Sequence, residues 1–129
     1  MAPRIEALFR SALRVINPRT LMEANLKNDP ILSKKVHLIG FGKGAAGMAS
    51  GVISSVGDRK IENGIISVPI GTFETMKKSE RLDLWPNHKN VEIFEVAKNN
   101  LPDEKAAMAS AKILEYCQAL KEGMKILIL

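Results

Sequence analysis

Apolar residues recur at Ile5, Leu8, Phe9, Ala12, Leu13 and Ile16, the three-to-four-residue spacing that gathers them on one helical face. A first helix packed by that face is expected. Asn17 then offers an N-cap and Pro18 a first helical position, so a second short helix follows. At "KKVHLIGF" the pattern becomes an unbroken apolar run leading into glycines, the signature of a buried strand, with His37 a satisfied residue inside it. "AAGMASGVISSVG" is a helix of small residues, able to approach a sheet closely and closed by Gly57. "NGIISVP" is a second buried strand, entered by a turn and ended by Pro69.

Residues 71–90 are polar and interrupted by Pro86, and are expected as one long irregular loop. "VEIFEV" alternates and reads as a third, more edge-like strand. Pro102, Asp103 and Glu104 open a helix whose apolar side is read as Ala106, Ala109, Ile113, Cys117 and Leu120, with Leu114 beside it. "MKILIL" is the fourth strand signal. Strands alternating with helices predict a single α/β domain with a largely parallel sheet and flanking helices. Such sheets bind ligands outside the carboxyl ends of their strands, which here means residues 40–44, 69–72 and 98–103.

Composition narrows the partners. Of 129 residues, 46% are hydrophobic and 26% charged, the balance of an ordinary globular chain. The formal charge is +5, but the basic residues are scattered in pairs such as Lys34 with Lys35 and Lys77 with Lys78, and aromatics are few. A nucleic-acid surface wants a clustered basic stripe, so nucleic acid is not the expected partner; an anionic small molecule suits the charge better. Cys117 is the single cysteine and His37 and His88 lie far apart, so neither a disulfide nor a structural zinc site is expected, and Cys117 reads as a small core residue in a reducing compartment. No run reaches the roughly 18 apolar residues of a membrane span. The basic, amphipathic start would also suit a mitochondrial presequence, though Glu6 and the helical spacing fit a packed helix. A cytoplasmic location is expected, with the mitochondrion as the alternative.

Chemistry concentrates at "VHLIGFGKGAAGMA". Glycines after a strand let a ligand approach the backbone, the next helix offers free N–H groups to an anion, and Lys43 adds a mobile positive charge. A Walker A loop is excluded because Lys43 is followed by Gly44 where that loop needs Ser or Thr. Gly40, Gly42 and Ala45 fit the dinucleotide pattern, as do Gly42, Gly44 and Gly47, yet "SVPIG" closes the second strand without an acid to hold a ribose. From these residues alone, phosphate or carboxylate binding stands beside a purely structural role in which the glycines serve packing and Lys43 is solvated.

The order of three stretches, "VHLIGFGKGAAGMA", "IENGIISVPIGT" and "VEIFEVAKNNLPDEKAAMASAKIL", preceded by "ALFRSALRVINPRTLM", resembles the amino-terminal part of the type II glycerate kinases. These glycerate 2-kinases have a large first domain called MOFRL-associated, and the likeness covers nearly the whole chain. It implies a Rossmann-like fold and transfer of the γ-phosphoryl group of ATP to the 2-hydroxyl of D-glycerate, with Mg2+ as the usual metal. It implies that Lys43 is a catalytic residue and that Gly40, Gly42 and Gly44 shape a substrate- or phosphate-binding turn around it; no metal ligand is carried over. Where many relatives have His-Pro-x-Pro-Asp, this chain has Asn99, Asn100, Leu101, Pro102 and Asp103, so a role for an imidazole there is not carried over.

Family members continue after "ILIL" with a glycine- and serine-rich phosphate loop and a second domain. Residues 1–129 are therefore expected to be a partial domain, truncated after its fourth strand, that supplies one wall of the active site and is inactive alone. The alternative is a catalytically inactive α/β module that binds an anionic ligand, or a protein partner through the Met124–Leu129 edge.

Overall fold

The computed structural model describes residues 3–129. Four strands, β1 (Val36–Phe41), β2 (Ile61–Pro69), β3 (Val91–Val96) and β4 (Lys125–Ile128), pair in the order β3-β2-β1-β4 with every pairing parallel. Five helices surround them: α1 (Pro3–Val15), α2 (Pro18–Leu26), α3 (Ala45–Val56), α4 (Thr72–Lys78) and α5 (Glu104–Ala119). The α/β class with a parallel sheet expected from the alternation is the class observed, and it is Rossmann-like as the resemblance implies.

Alternation along β1 explains why the whole strand is apolar. Val36 and Leu38 face α3, where with Ala46, Ala49, Val52 and Ile66 they form the main core. His37 and Ile39 face the other way, toward the α5 layer, which packs on β2 and β3. A strand covered on both faces needs no polar side. β2 is longer than its sequence signal, because Asn63-Gly64 is not a turn. Ile61 is buried opposite Val36, and after one irregularity Gly64 pairs with Leu38. A Cβ on Gly64 would lie 3.0 Å from that of Leu38, so glycine serves close packing inside the strand.

Three further expectations need correction. Residues 71–90 are not a structureless loop, since they contain α4 and a 3₁₀ turn, Leu82–Leu84. Seven residues cannot hold a helix by propensity, and tertiary anchors supply what is missing. The Glu95 carboxylate accepts the Phe73 N–H at 3.0 Å, and the Phe73 ring meets Trp85 edge-on with centroids 5.0 Å apart. The Asp83 carbonyl accepts hydrogen bonds from Ser50 Oγ at 2.6 Å and Arg19 Nη1 at 2.8 Å.

Second, Cys117 is exposed and not a core residue. The inward side of α5 runs through Ala109 and half-buried Ile113 and Tyr116, one residue out of step with the sequence reading at its end. Tyr116 turns in because its hydroxyl meets His37 Nδ1 at 2.7 Å, which satisfies the strand histidine as expected. Third, α1 forms but buries none of its residues; it packs on α2 and its apolar stripe stays exposed.

Candidate active site

The sheet order reverses at β1, with β2 on one side and β4 on the other. Crossovers then leave in opposite directions, and a crevice opens outside the carboxyl end of that strand. The chain departs from β1 through Gly42, whose φ of +102° is the left-handed region that favours glycine. Its N–H donates to Ser67 O at 2.9 Å and ties the turn to β2. Gly40 has a different reason to be glycine. A Cβ there would stand 3.2 Å from the Cβ of Ala45 and hold α3 away from the sheet. Gly44 caps α3 with an ordinary φ of −88°, and the nearest atom to a Cβ added there is Met48 Sδ at 3.9 Å. Neither backbone strain nor crowding calls for glycine at 44.

Lys43 projects from this turn into a cleft of about 310 Å³. The opposite wall is Pro69 to Thr72 together with Thr75 and Met76 of α4. Two of the three ligand-edge segments named by the sequence, residues 40–44 and 69–72, therefore meet in one cleft. The Thr72 hydroxyl donates to Pro69 O at 2.5 Å, whereas that of Thr75 makes no hydrogen bond to a described residue. Lys43 and Thr75 thus line one small, partly apolar cleft, and an ammonium with a hydroxyl there can hold a short anion bearing its own hydroxyls.

The third segment, residues 98–103, stays outside this cleft. Asp103 accepts N–H bonds from Ala106 at 2.7 Å, Lys98 at 3.3 Å and Ala97 at 3.4 Å, and caps α5. The Ala106 N–H above all, then those of Lys98 and Ala97, holds the Asp103 carboxyl below the usual aspartate value. The aspartate that matches the family's pattern is thus occupied by the backbone here. Ala97 and Asn99 carry φ of +59° and +55°, left-handed values that Asn tolerates and Ala rarely adopts.

Among the described residues no three His, Cys, Asp or Glu side chains converge as a metal site. Sequence reading missed Thr75 and Met76 because it left their segment unstructured. The available signal was Gly71 before the helix, with Lys77 and Lys78 in its last turn, where they oppose the negative end of the helix dipole.

The model of a family described as a domain of unknown function (DUF4147) matches residues 4–129. The human protein "Glycerate kinase" is 30% identical over 142 residues, covering 100% of this chain and 27% of the relative. The rat "Glycerate kinase" is 31% identical over 144 residues with the same coverage, and that of Danio rerio 30% over 138 residues, covering 98% and 27%. The chain thus spans about a quarter of the length of the curated relatives it matches. No solved structure matches it.

Proposed function

Because the chain belongs to the DUF4147 family, we propose that it forms the Lys43-bearing wall of an ATP-dependent glycerate 2-kinase. The observation that carries this reading is the position of Lys43. In a chain that resembles glycerate kinases along its whole length, the one lysine of the glycine turn stands at the carboxyl end of β1, where the sheet order reverses.

Phosphoryl transfer asks a protein for positioning and for positive charge on the transferring oxygens. Lys43 supplies a mobile ammonium that can offset charge on the γ-phosphoryl group or on the glycerate carboxylate. Gly42 fixes the direction of the turn, Gly40 lets α3 sit close beneath it, and Gly44 leaves the backbone open to the anion. ATP and D-glycerate are the ligands this reading requires. Magnesium would neutralise the phosphates. With no ligand cluster among the described residues, it would be held chiefly by the nucleotide and by groups outside this chain.

We read residues 1–129 as the amino-terminal portion of the large kinase domain. Phe41, Ile126 and Ile128 lie exposed on one face of β1 and β4, beyond the reach of α5, and the remaining part of the domain would cover them. An unpaired thiol at Cys117 suits a reducing compartment such as the cytoplasm. Among the described residues no helix is long and apolar enough to cross a membrane.

The test is D-glycerate-dependent ADP formation by the full-length polypeptide that carries this chain, with the product assigned by phosphorus NMR. 2-Phosphoglycerate is the expected product, and residues 1–129 alone are expected to form none. Absence of glycerate-dependent turnover in the full-length protein would overturn the reading.

A further inference from the structure

At the amino-terminal edge of the sheet, a second cleft of about 510 Å³ opens where the chain enters β1, β2 and β4. Its rim carries Lys34, Lys35 and Lys125, and the one acid beside them is Glu62. Glu62 is engaged by Lys35 at 2.7 Å. Lys34 and Lys125 form no ion pair with a described residue, so two ammonium groups stand uncompensated over the cleft.

The floor is His37, only 8% exposed, with Nδ1 2.7 Å from the Tyr116 hydroxyl. Burial pushes the Tyr116 phenol up to about 12, so it keeps its proton at neutral pH and can donate to Nδ1. An imidazole that accepts at Nδ1 carries its own proton on Nε2. Among the described residues no fully buried side-chain nitrogen or oxygen lacks a partner. Nε2 has no partner among the described residues, so it reaches accessible surface, and the cleft that His37 lines is this one. With Tyr116 as the donor, His37 presents an Nε2–H, held from behind by α5, to the cleft that Lys34 and Lys125 also line.

We propose that this cleft is a second anion site that takes a phosphate dianion, free or as the terminal group of a small phosphorylated metabolite. Two ammonium groups match two charges, and the fixed Nε2–H adds a directed hydrogen bond that surface lysines alone cannot give. β1 separates the cleft from Lys43 by roughly 20 Å at ~3.3 Å per residue, so the assignment stands independently of the glycerate kinase reading.

Histidine nitrogen NMR on the protein tests it, with inorganic phosphate and methyl phosphate as probes, ionic strength held with chloride, and the pH above the monoester's second pKa of about 6. The expected result is a saturable shift of His37 Nε2 with a Kd of about 1 mM or tighter. Replacing both exposed lysines (Lys34→Gln with Lys125→Gln) is expected to weaken binding at least about fivefold while the amide spectrum stays folded. Tighter binding of methyl phosphate would identify the ester as the ligand class, weaker binding would identify phosphate itself, and equal binding would show that the site reads the dianion they share. A shift that rises linearly, a Kd unchanged in the double variant, or saturation at Gly42 to Ala45 with His37 unmoved would each overturn the assignment.

Discussion

The Arg19 carbonyl oxygen lies 2.6 Å from the point a Cβ on Gly51 would occupy, so α2 and α3 cross in direct backbone contact. Gly47 repeats the arrangement one turn earlier against Pro18, where its Cβ would lie 2.6 Å from Cγ. Alanine in a helix interior is ordinarily favoured over glycine by about 1 kcal/mol. Here the clash is with backbone, which cannot swing aside. Gly51→Ala is expected to destabilise the protein by about 2 kcal/mol, within the usual range for overpacking. Chemical denaturation decides the sign: a more stable variant would mean that α2 and α3 are not in this contact.

The same crossing holds the far wall of the candidate active site. Ser50, on α3, and Arg19, on α2, both donate to the Asp83 carbonyl, and the turn they hold carries Trp85 onto Phe73 of α4. Ser50→Ala removes one donor from a buried position and should cost about 1 kcal/mol. If that energy is local to the turn, amide exchange at Leu84 and Trp85 accelerates about fivefold. Exchange at wild-type rates would show that the turn is held by something else.

Much of this fold is legible because β1 and β2 carry apolar runs ended by Gly or Pro, because β3 alternates, and because Asn17 and Asp103 are side-chain caps that the structure places at helix starts. What escaped was set by distance in sequence. α4 depends on Glu95 and Trp85, and the turn around Trp85 on Ser50 and Arg19, partners that no local window contains. Cys117 and Tyr116 are neighbours in one helical pattern, and only the hydroxyl's bond to His37, 79 residues away, decides which turns inward. At the candidate site the glycine turn and residues 69–72 of the second wall were visible and the α4 part of that wall was not, since Thr75 looks like any polar surface residue until α4 brings it to the cleft that Lys43 lines.

Acid should act partly through Asp103. Its folded pKa lies below its unfolded value, chiefly because the Ala106 N–H bonds the charged form. The group therefore contributes stability above the unfolded pKa, near 3.8, and loses it as pH falls through the folded value. Asp103→Asn keeps a capping oxygen and removes the titration. It should leave stability nearly unchanged at neutral pH and flatten the loss below about pH 4. Parallel acid-unfolding curves for the two proteins would contradict this cap.

Lys43 decides the central claim, and turnover of the full-length polypeptide carrying Lys43→Met measures it most directly. The substitution keeps an exposed side chain's length and removes its charge, so the thermal midpoint should stay within about 2 °C of wild type. D-Glycerate-dependent ADP formation should fall by about 10²- to 10³-fold in kcat, the cost of losing one charge-stabilising donor. Near-normal turnover in the folded variant would contradict the account and return Lys43 to the solvated surface.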